Sequence, residues 1–361
     1  MKLVRPSADQ AAAIVQAMYG VISAEGRIAP IPIEIESIEA AQRHLFFQSP
    51  PLPGSPGKLP ANLGQVIGDP VLRRQTIRAL ALLPTIDRRI LPEKVAVVLT
   101  AAAQLGVHEF GLEMLRHASQ GRLKQIALGL SRRFVAFNWS PTGKARLRDW
   151  ASFAWWMLPQ LHGPRTARRT RALSARYRAL GELPQGTFGH ALHGFLTRNG
   201  IPMPGEPGSV PWAMHEVYHV LSEYGVGLPA ELLLTGFIGG TQEATCLDQM
   251  LFGLIVYHCG RPLIGGFVTE GLLRPDEFFR AIARGAQINV DVMSRQWDFW
   301  AVAPVPLQEL RTRYGLPPFS EAEKEALASH NGLLADPGFT AGFTTGFTIP
   351  DVAGELPAGA E

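Results

Sequence analysis

Apolar residues recur at three- and four-residue intervals along almost the whole chain, and the strict alternation of a half-buried strand is nearly absent. That pattern restricts the fold to helices packed on helices. Residues 11–22, 34–47, 71–83 and 93–105 read as amphipathic helices bounded by Pro or Gly, and 109–118 and 123–130 supply two shorter ones. The Pro- and Gly-rich run from Gln48 to Pro60 cannot be helical and reads as an exposed loop. The expected class is all-α.

At 361 residues the chain is long enough for two helical domains, each with its own core. The helical pattern breaks near Phe134 to Thr142, at Asn138-Trp-Ser-Pro. The expected organisation is a helical domain over 1–134, a basic, aromatic-rich connecting segment over 135–178, a second helical domain over 179–328 and a tail over 329–361. The tail repeats Gly-Phe-Thr at Gly338, Gly342 and Gly346 and reads as flexible, unless its aromatic residues dock on the second domain.

Cys246 and Cys259 are too few for a disulfide scaffold, so a reducing, cytoplasmic compartment is expected. Residues 1–23 lack the pattern of a signal or transit peptide. No uncharged apolar stretch reaches the ~18–20 residues of a membrane span. The nearest, Met250 to Val268, is interrupted by His258 and Arg261. A soluble or peripheral protein is expected.

The net charge of +3 hides an uneven distribution. Residues 132–178 carry +10, and the remainder carries −7. Such asymmetry points to an anionic partner. Four of the seven tryptophans lie in the same stretch (Trp139, Trp150, Trp155 and Trp156), flanked by Lys144, Arg146 and Arg148 and then by Arg165, Arg168, Arg169 and Arg171. Trp with Arg is what a helix lying on an anionic membrane surface needs. The same residues also suit a core helix between two solvated basic helices. Nucleic acid would attract the arginines too, but no zinc finger or RNA-binding signature accompanies them, so no nucleic-acid partner is expected.

The first domain contains a faint internal echo. Glu25-Gly-Arg-Ile28 followed by Glu34 is answered by Asp87-Arg-Arg-Ile90 followed by Glu93. Acids opening a helix are stabilised by its macrodipole, and two acidic helix caps explain the echo. A carboxylate metal site is the alternative. Over about Val4 to Phe134 this arrangement resembles the tellurite-resistance protein B-like helical domain, with Glu25-Gly26 and Asp87-Arg88 standing where that family has Asp-Gly.

The residues richest in chemistry are His215-Glu216-Val217-Tyr218-His219. Residues i and i+4 lie one above the other on a helix, so His215 and His219 present two imidazoles to one point, half of a zinc site. The helix is expected from about Pro211 to Tyr224. Met214, Val217, Tyr218, Val220 and Leu221 make most of it apolar, and buried histidines need partners. Gly225, Gly227 and Pro229 then break the helix, and Glu231 opens the next run, to Ile238. A short turn makes the two helices antiparallel neighbours, so Glu231 can fold back as third ligand. Glu223 competes for that role but stands a full turn beyond His219. His-Glu-x-x-His also suggests a zinc peptidase with Glu216 as general base. Against it, Ser222 replaces the Gly of the extended metzincin pattern, and Glu231 follows too closely for the other large class. His190 and His193 read as packing or supporting groups, and Tyr257, His258 and Cys259 as core.

The eleven residues between His219 and Glu231 give the motif a wider resemblance. His215-Glu216-x-x-His219-(eleven)-Glu231 resembles the His-Asp-x-x-His-(eleven)-Glu motif of the coenzyme Q biosynthesis protein 4 family. Its flanks agree from Leu183-Pro184-x-Gly186-Thr187-Phe188-Gly189 to Ala283-Arg284-Gly285, Trp297-x-x-Trp300 and Pro306-Leu307-x-Glu309-Leu310-Arg311-x-x-Tyr314, covering roughly Arg176 to Pro318. The resemblance implies an α-helical domain holding Zn2+ or another divalent metal at His215, His219 and Glu231, with Glu216 as a further ligand or as the catalytic carboxylate. It implies a prenylated quinone precursor or isoprenoid lipid as ligand and a place at a membrane, which the adjacent basic block makes an anionic membrane surface. Other quinone-biosynthesis proteins are the implied partners, and a homodimer stays open. The expected place is the inner face of the cell membrane. The implied role is ubiquinone biosynthesis, either at the ring carbon that loses its carboxylate (C1 decarboxylation or hydroxylation) or as a non-catalytic, lipid-presenting scaffold. The family's Asp is Glu216 here, one methylene longer.

Overall fold

The computed structural model describes residues 1–157, 164–206, 209, 213–263, 269–294, 296–330 and 332. The chain folds as an all-α protein; among the described residues β structure is confined to isolated bridge positions, such as Thr187 with Pro306 and Cys259 with Glu270. The first seven helices are α1 (Ala8–Ile22), α2 (Pro32–Leu45), α3 (Leu63–Val66), α4 (Pro70–Leu82), α5 (Pro92–Leu105), α6 (Phe110–Ser119) and α7 (Leu123–Phe134). Next come α8 (Leu147–Met157) and the arginine-rich α9 (Pro164–Arg178). The rest are α10 (Phe188–Arg198), α11 (Met214–Ser222), α12 (Leu228–Thr241), α13 (Cys246–Gly253), α14 (Pro275–Ala286), α15 (Phe299–Val302), α16 (Leu307–Arg313) and α17 (Glu321–Ala328).

Local chemistry sets the helix starts. Ser7 caps α1 in a reciprocal capping box with Gln10, and Asp69 accepts from the Val71 and Leu72 amides at the head of α4. Proline opens α2, α4, α5 and α14, where its missing N–H would have been unpaired. Residues 47–62 form a loop, as the sequence predicts.

α12 lies at the centre and is buried on all sides from Ala230 to Gly240. It crosses α14 at close range because both helices carry glycine at the contact. A Cβ at Gly285 would lie 2.0 Å from the Phe237 carbonyl oxygen, and one at Gly240 would lie 2.2 Å from that of Ile282. On its other side α14 packs on α2, so the N-terminal and C-terminal helices share one continuous apolar core. Polar groups pin that junction. His44 and Arg43 both reach Asp276, at 2.8 and 3.1 Å. Buried His258 bonds the Ile86 carbonyl through Nε2 at 2.9 Å and accepts from the Leu273 amide at Nδ1, so it is core, as expected.

The acidic echo in the first helices is not a metal site. Glu25 and Glu93 face solvent. Glu34 and Asp87 turn inward, but what sits between them is Lys94, whose Nζ is 2.6 Å from Asp87 and bonded to Glu34. All three side chains are within 1% of full burial. Glu34 also accepts from the Ile31 amide at 3.0 Å, so its helix-capping role holds. The two loops match through the prolines that open their helices, Pro32 and Pro92, which sets Glu34 opposite Lys94 rather than Glu93. A lysine ammonium satisfies carboxylates that a cation would otherwise be needed to hold.

α8 is amphipathic. Phe153 is buried against Phe134, Trp139 and Trp150, while Leu147 is 89% exposed and Trp155 also faces outward. No described helix is long and apolar enough to cross a membrane. Residues 333–361, where the Gly-Phe-Thr tail lies, fall outside the described residues, as does Pro211.

Candidate metal centre

α11 begins at Met214, three residues later than the sequence suggests, and ends at Ser222. Its apolar side, Val217, Tyr218, Val220 and Leu221, is buried. The i, i+4 spacing then stacks His215 above His219 on a second side. Glu223 takes a left-handed conformation (φ 67°) that stops the helix. Glu231, in the first turn of α12, is thereby returned to the two histidines. The glycine-flanked turn Gly225–Gly227 is what the sequence supplies for this reversal.

The three side chains converge. His215 Nε2 and His219 Nε2 are 3.1 Å apart, and the Glu231 carboxylate oxygens lie 3.3 Å from each of them. Ligand atoms about 2.0–2.1 Å from a tetrahedral zinc stand about 3.3 Å from one another, so the two nitrogens are spaced as neighbouring corners of such a site, and each has a Glu231 oxygen at a like distance, Oε2 beside His215 and Oε1 beside His219. Among the described residues this is the one group of three or more His, Cys, Asp or Glu whose ligand atoms gather in this way. Glu231 and His219 are buried, whereas the His215 side chain is 49% exposed, which leaves one open side.

Hydrogen bonding selects the right ring nitrogen. His219 Nδ1–H donates to the Tyr224 carbonyl at 3.1 Å, leaving the Nε2 lone pair for the centre. Phe195 stacks on the same imidazole, with centroids 5.2 Å apart and planes 24° apart. The inner edge of the half-exposed His215 ring is partly desolvated, which works against a charged imidazole, but the adjacent, hydrogen-bonded Glu231 outweighs this and pushes its pKa up to about 9. Burial likewise opposes the Glu231 carboxylate, yet His219 and His215 bring it down to about 2. The centre is built to hold positive charge.

Glu216 is not part of the converging group. One residue on from His215 it is turned about 100° around the helix. It is buried, and its charge helps to raise both His215 and the phenol of Tyr177, which burial and Glu216 together push up to about 12. Glu223, the rival third ligand, is turned away onto Arg311 at 3.1 Å and Arg284 at 3.8 Å. His190 Nδ1 bonds the Leu183 carbonyl, a supporting contact. Both cysteines are buried free thiols. Sequence reasoning missed the arginines around Glu223; their only signal was their place in the flanking motifs.

A scan of protein-family models, a search of curated proteins and a search of solved structures each find nothing that matches this chain.

Proposed function

We propose that the protein is a divalent-metal protein of ubiquinone biosynthesis that binds a prenylated aromatic intermediate at a membrane surface. The observation that carries the metal part is the convergence of His215, His219 and Glu231 at mutual distances of 3.1–3.3 Å. The quinone part rests on the order of the motifs between Arg176 and Pro318 and their resemblance to the coenzyme Q biosynthesis protein 4 family.

His215, His219 and Glu231 would hold the ion, and the exposed face of His215 leaves room for a further ligand. A divalent ion supplies Lewis acidity toward a ring carboxylate or hydroxyl. Glu216, buried beside the histidines but outside their convergence, is the residue available to take or return a proton at the ring. Exposed Leu128, Phe137, Leu147 and Trp155 together with exposed Arg132, Lys144, Arg146 and Arg148 give the α7–α8 region the apolar and cationic groups that an anionic lipid surface attracts.

Metal analysis of the purified protein should find close to one divalent ion per chain, lost in His219→Ala. Mass spectrometry of native lipid extracts should find a prenylated ring compound. Conversion of a prenylated hydroxybenzoate by wild type and not by Glu216→Gln makes the protein an enzyme. Ligand bound without turnover makes it a lipid-presenting scaffold. Cleavage of casein, lost in Glu216→Gln, would replace this reading with a zinc peptidase.

A further inference from the structure

The C-terminal end of α11 is held by two arginines from distant parts of the chain. A helix leaves its last four carbonyls without partners inside the helix. In α11 these belong to His219, Val220, Leu221 and Ser222. The Glu223 amide takes the His219 carbonyl at 2.9 Å. Arg311, on α16, donates to Val220 at 2.7 Å and to Leu221 at 3.0 Å. Arg284, on α14, donates to Ser222 at 2.6 Å. Every orphan carbonyl of the helix that carries both histidines is thereby satisfied, and three of the four by guanidinium groups.

These guanidiniums are costly to place there. Arg284 and Arg311 are 5% and 7% exposed, and burial lowers the pKa of both. One carboxylate, Glu223, is shared between them. The second positive charge is met by the negative end of the α11 dipole and by the Pro317 carbonyl, which Arg284 Nε and Nη2 reach at 3.2 and 3.1 Å. Arg284 also lies 3.9 Å from the centre of the Phe319 ring and within 6 Å of Tyr224 and Phe237. Tyr224 follows Glu223 directly, and its carbonyl is the acceptor that orients His219.

We propose that Arg311 and Arg284, bridged by Glu223, are positioning residues of the metal centre. They fix the end of α11 and the Glu223–Tyr224 turn, and through the Tyr224 carbonyl they fix the His219 ring with Nε2 toward the centre. The inference rests on the metal reading above. It explains why the left-handed residue at the end of α11 is a glutamate: glycine adopts that conformation more easily, but only a carboxylate can hold both arginines.

Cobalt(II) titration of the full-length protein followed by its visible absorption tests this. Arg311→Lys keeps a positive charge but puts a single ammonium where three guanidinium nitrogens reach Leu221, Glu223 and Val220 separately. Its cobalt affinity should fall about 10- to 100-fold, the usual effect of losing a group that orients a metal ligand, and its absorption bands should change. Nitrogen-15 NMR of the metal-free protein should show His219 as the Nδ1–H tautomer in wild type and as a mixture in Arg311→Lys. Should Arg311→Lys not fold, Glu223→Gln leaves both arginines in place and should weaken cobalt in the same direction. Wild-type affinity and wild-type tautomer in a folded variant would overturn the clamp alone. No cobalt binding by wild type would overturn the metal reading and the clamp with it.

Discussion

Two buried charge clusters, one in each half of the protein, reach opposite solutions to the same cost. Around Lys94 the cation is a side chain: its ammonium lies between Glu34 and Asp87, sealed from water, and the cluster is complete. Around Glu231 the partners are two imidazoles whose Nε2 atoms face each other and the carboxylate, with one side open at His215. Lysine supplies a fixed positive charge on its own stem. Imidazole supplies a lone pair or a proton according to what arrives. The first cluster is therefore structural, and the second is one whose charge the solvent side can change.

The largest expected effect is on the closed cluster. Lys94→Met strands two buried carboxylates and should cost about 3–5 kcal/mol in urea unfolding. A loss below about 1 kcal/mol would show that Glu34 and Asp87 do not depend on the lysine, and the contrast would break. Next comes the open cluster. Zinc at a hundred times its dissociation constant should stabilise the wild type by about 2.7 kcal/mol, read as a rise in Tm. His219→Ala should show no rise, and an equal rise there would place the ion elsewhere.

The smallest effect lies at the junction between the halves. The hydrogen bond from His44, with Arg280 and Arg43 nearby and burial opposing, holds the Asp276 carboxyl well below the usual carboxylate range. A depressed folded-state pKa contributes stability above the unfolded value, near 3.9, and loses it as pH falls through the folded value. Asp276 is 39% exposed, so solvent screening keeps the contribution to at most about 1 kcal/mol. Asp276→Asn should thus be slightly less stable than wild type at pH 7. The gap should close as the pH drops below about 4; a gap constant from pH 7 to 2 would mean that Asp276 acts by packing.

The helices were legible because their causes are local. Period, capping residues and prolines lie within a turn of what they control, so α1, α2, α4 and α5 fall within three residues of expectation. The metal triad was legible for a similar reason: three residues lie between the histidines and eleven between His219 and Glu231, spans that one helix and one turn determine. The acidic echo misled because matching acid to acid paired Glu34 with Glu93. The prolines pair it with Lys94, and burial, which sequence does not display, decides which of the neighbouring side chains points inward.

By itself, then, the sequence determined an all-α chain and the two imidazoles on one helix face, because backbone geometry carries both over a few residues. Only the tertiary structure decided what those groups meet. Lys94 is 60 residues from Glu34, Arg284 is 62 from Ser222 and Arg311 is 91 from Val220. No local rule spans such distances. The packing of α2 and α5 on α1 brings Lys94 to Glu34, that of α11 and α14 on α12 brings Arg284 to Ser222, and that of α11 and α16 on α10 brings Arg311 to Val220; the cost of leaving a buried charge or carbonyl unpaired keeps them there.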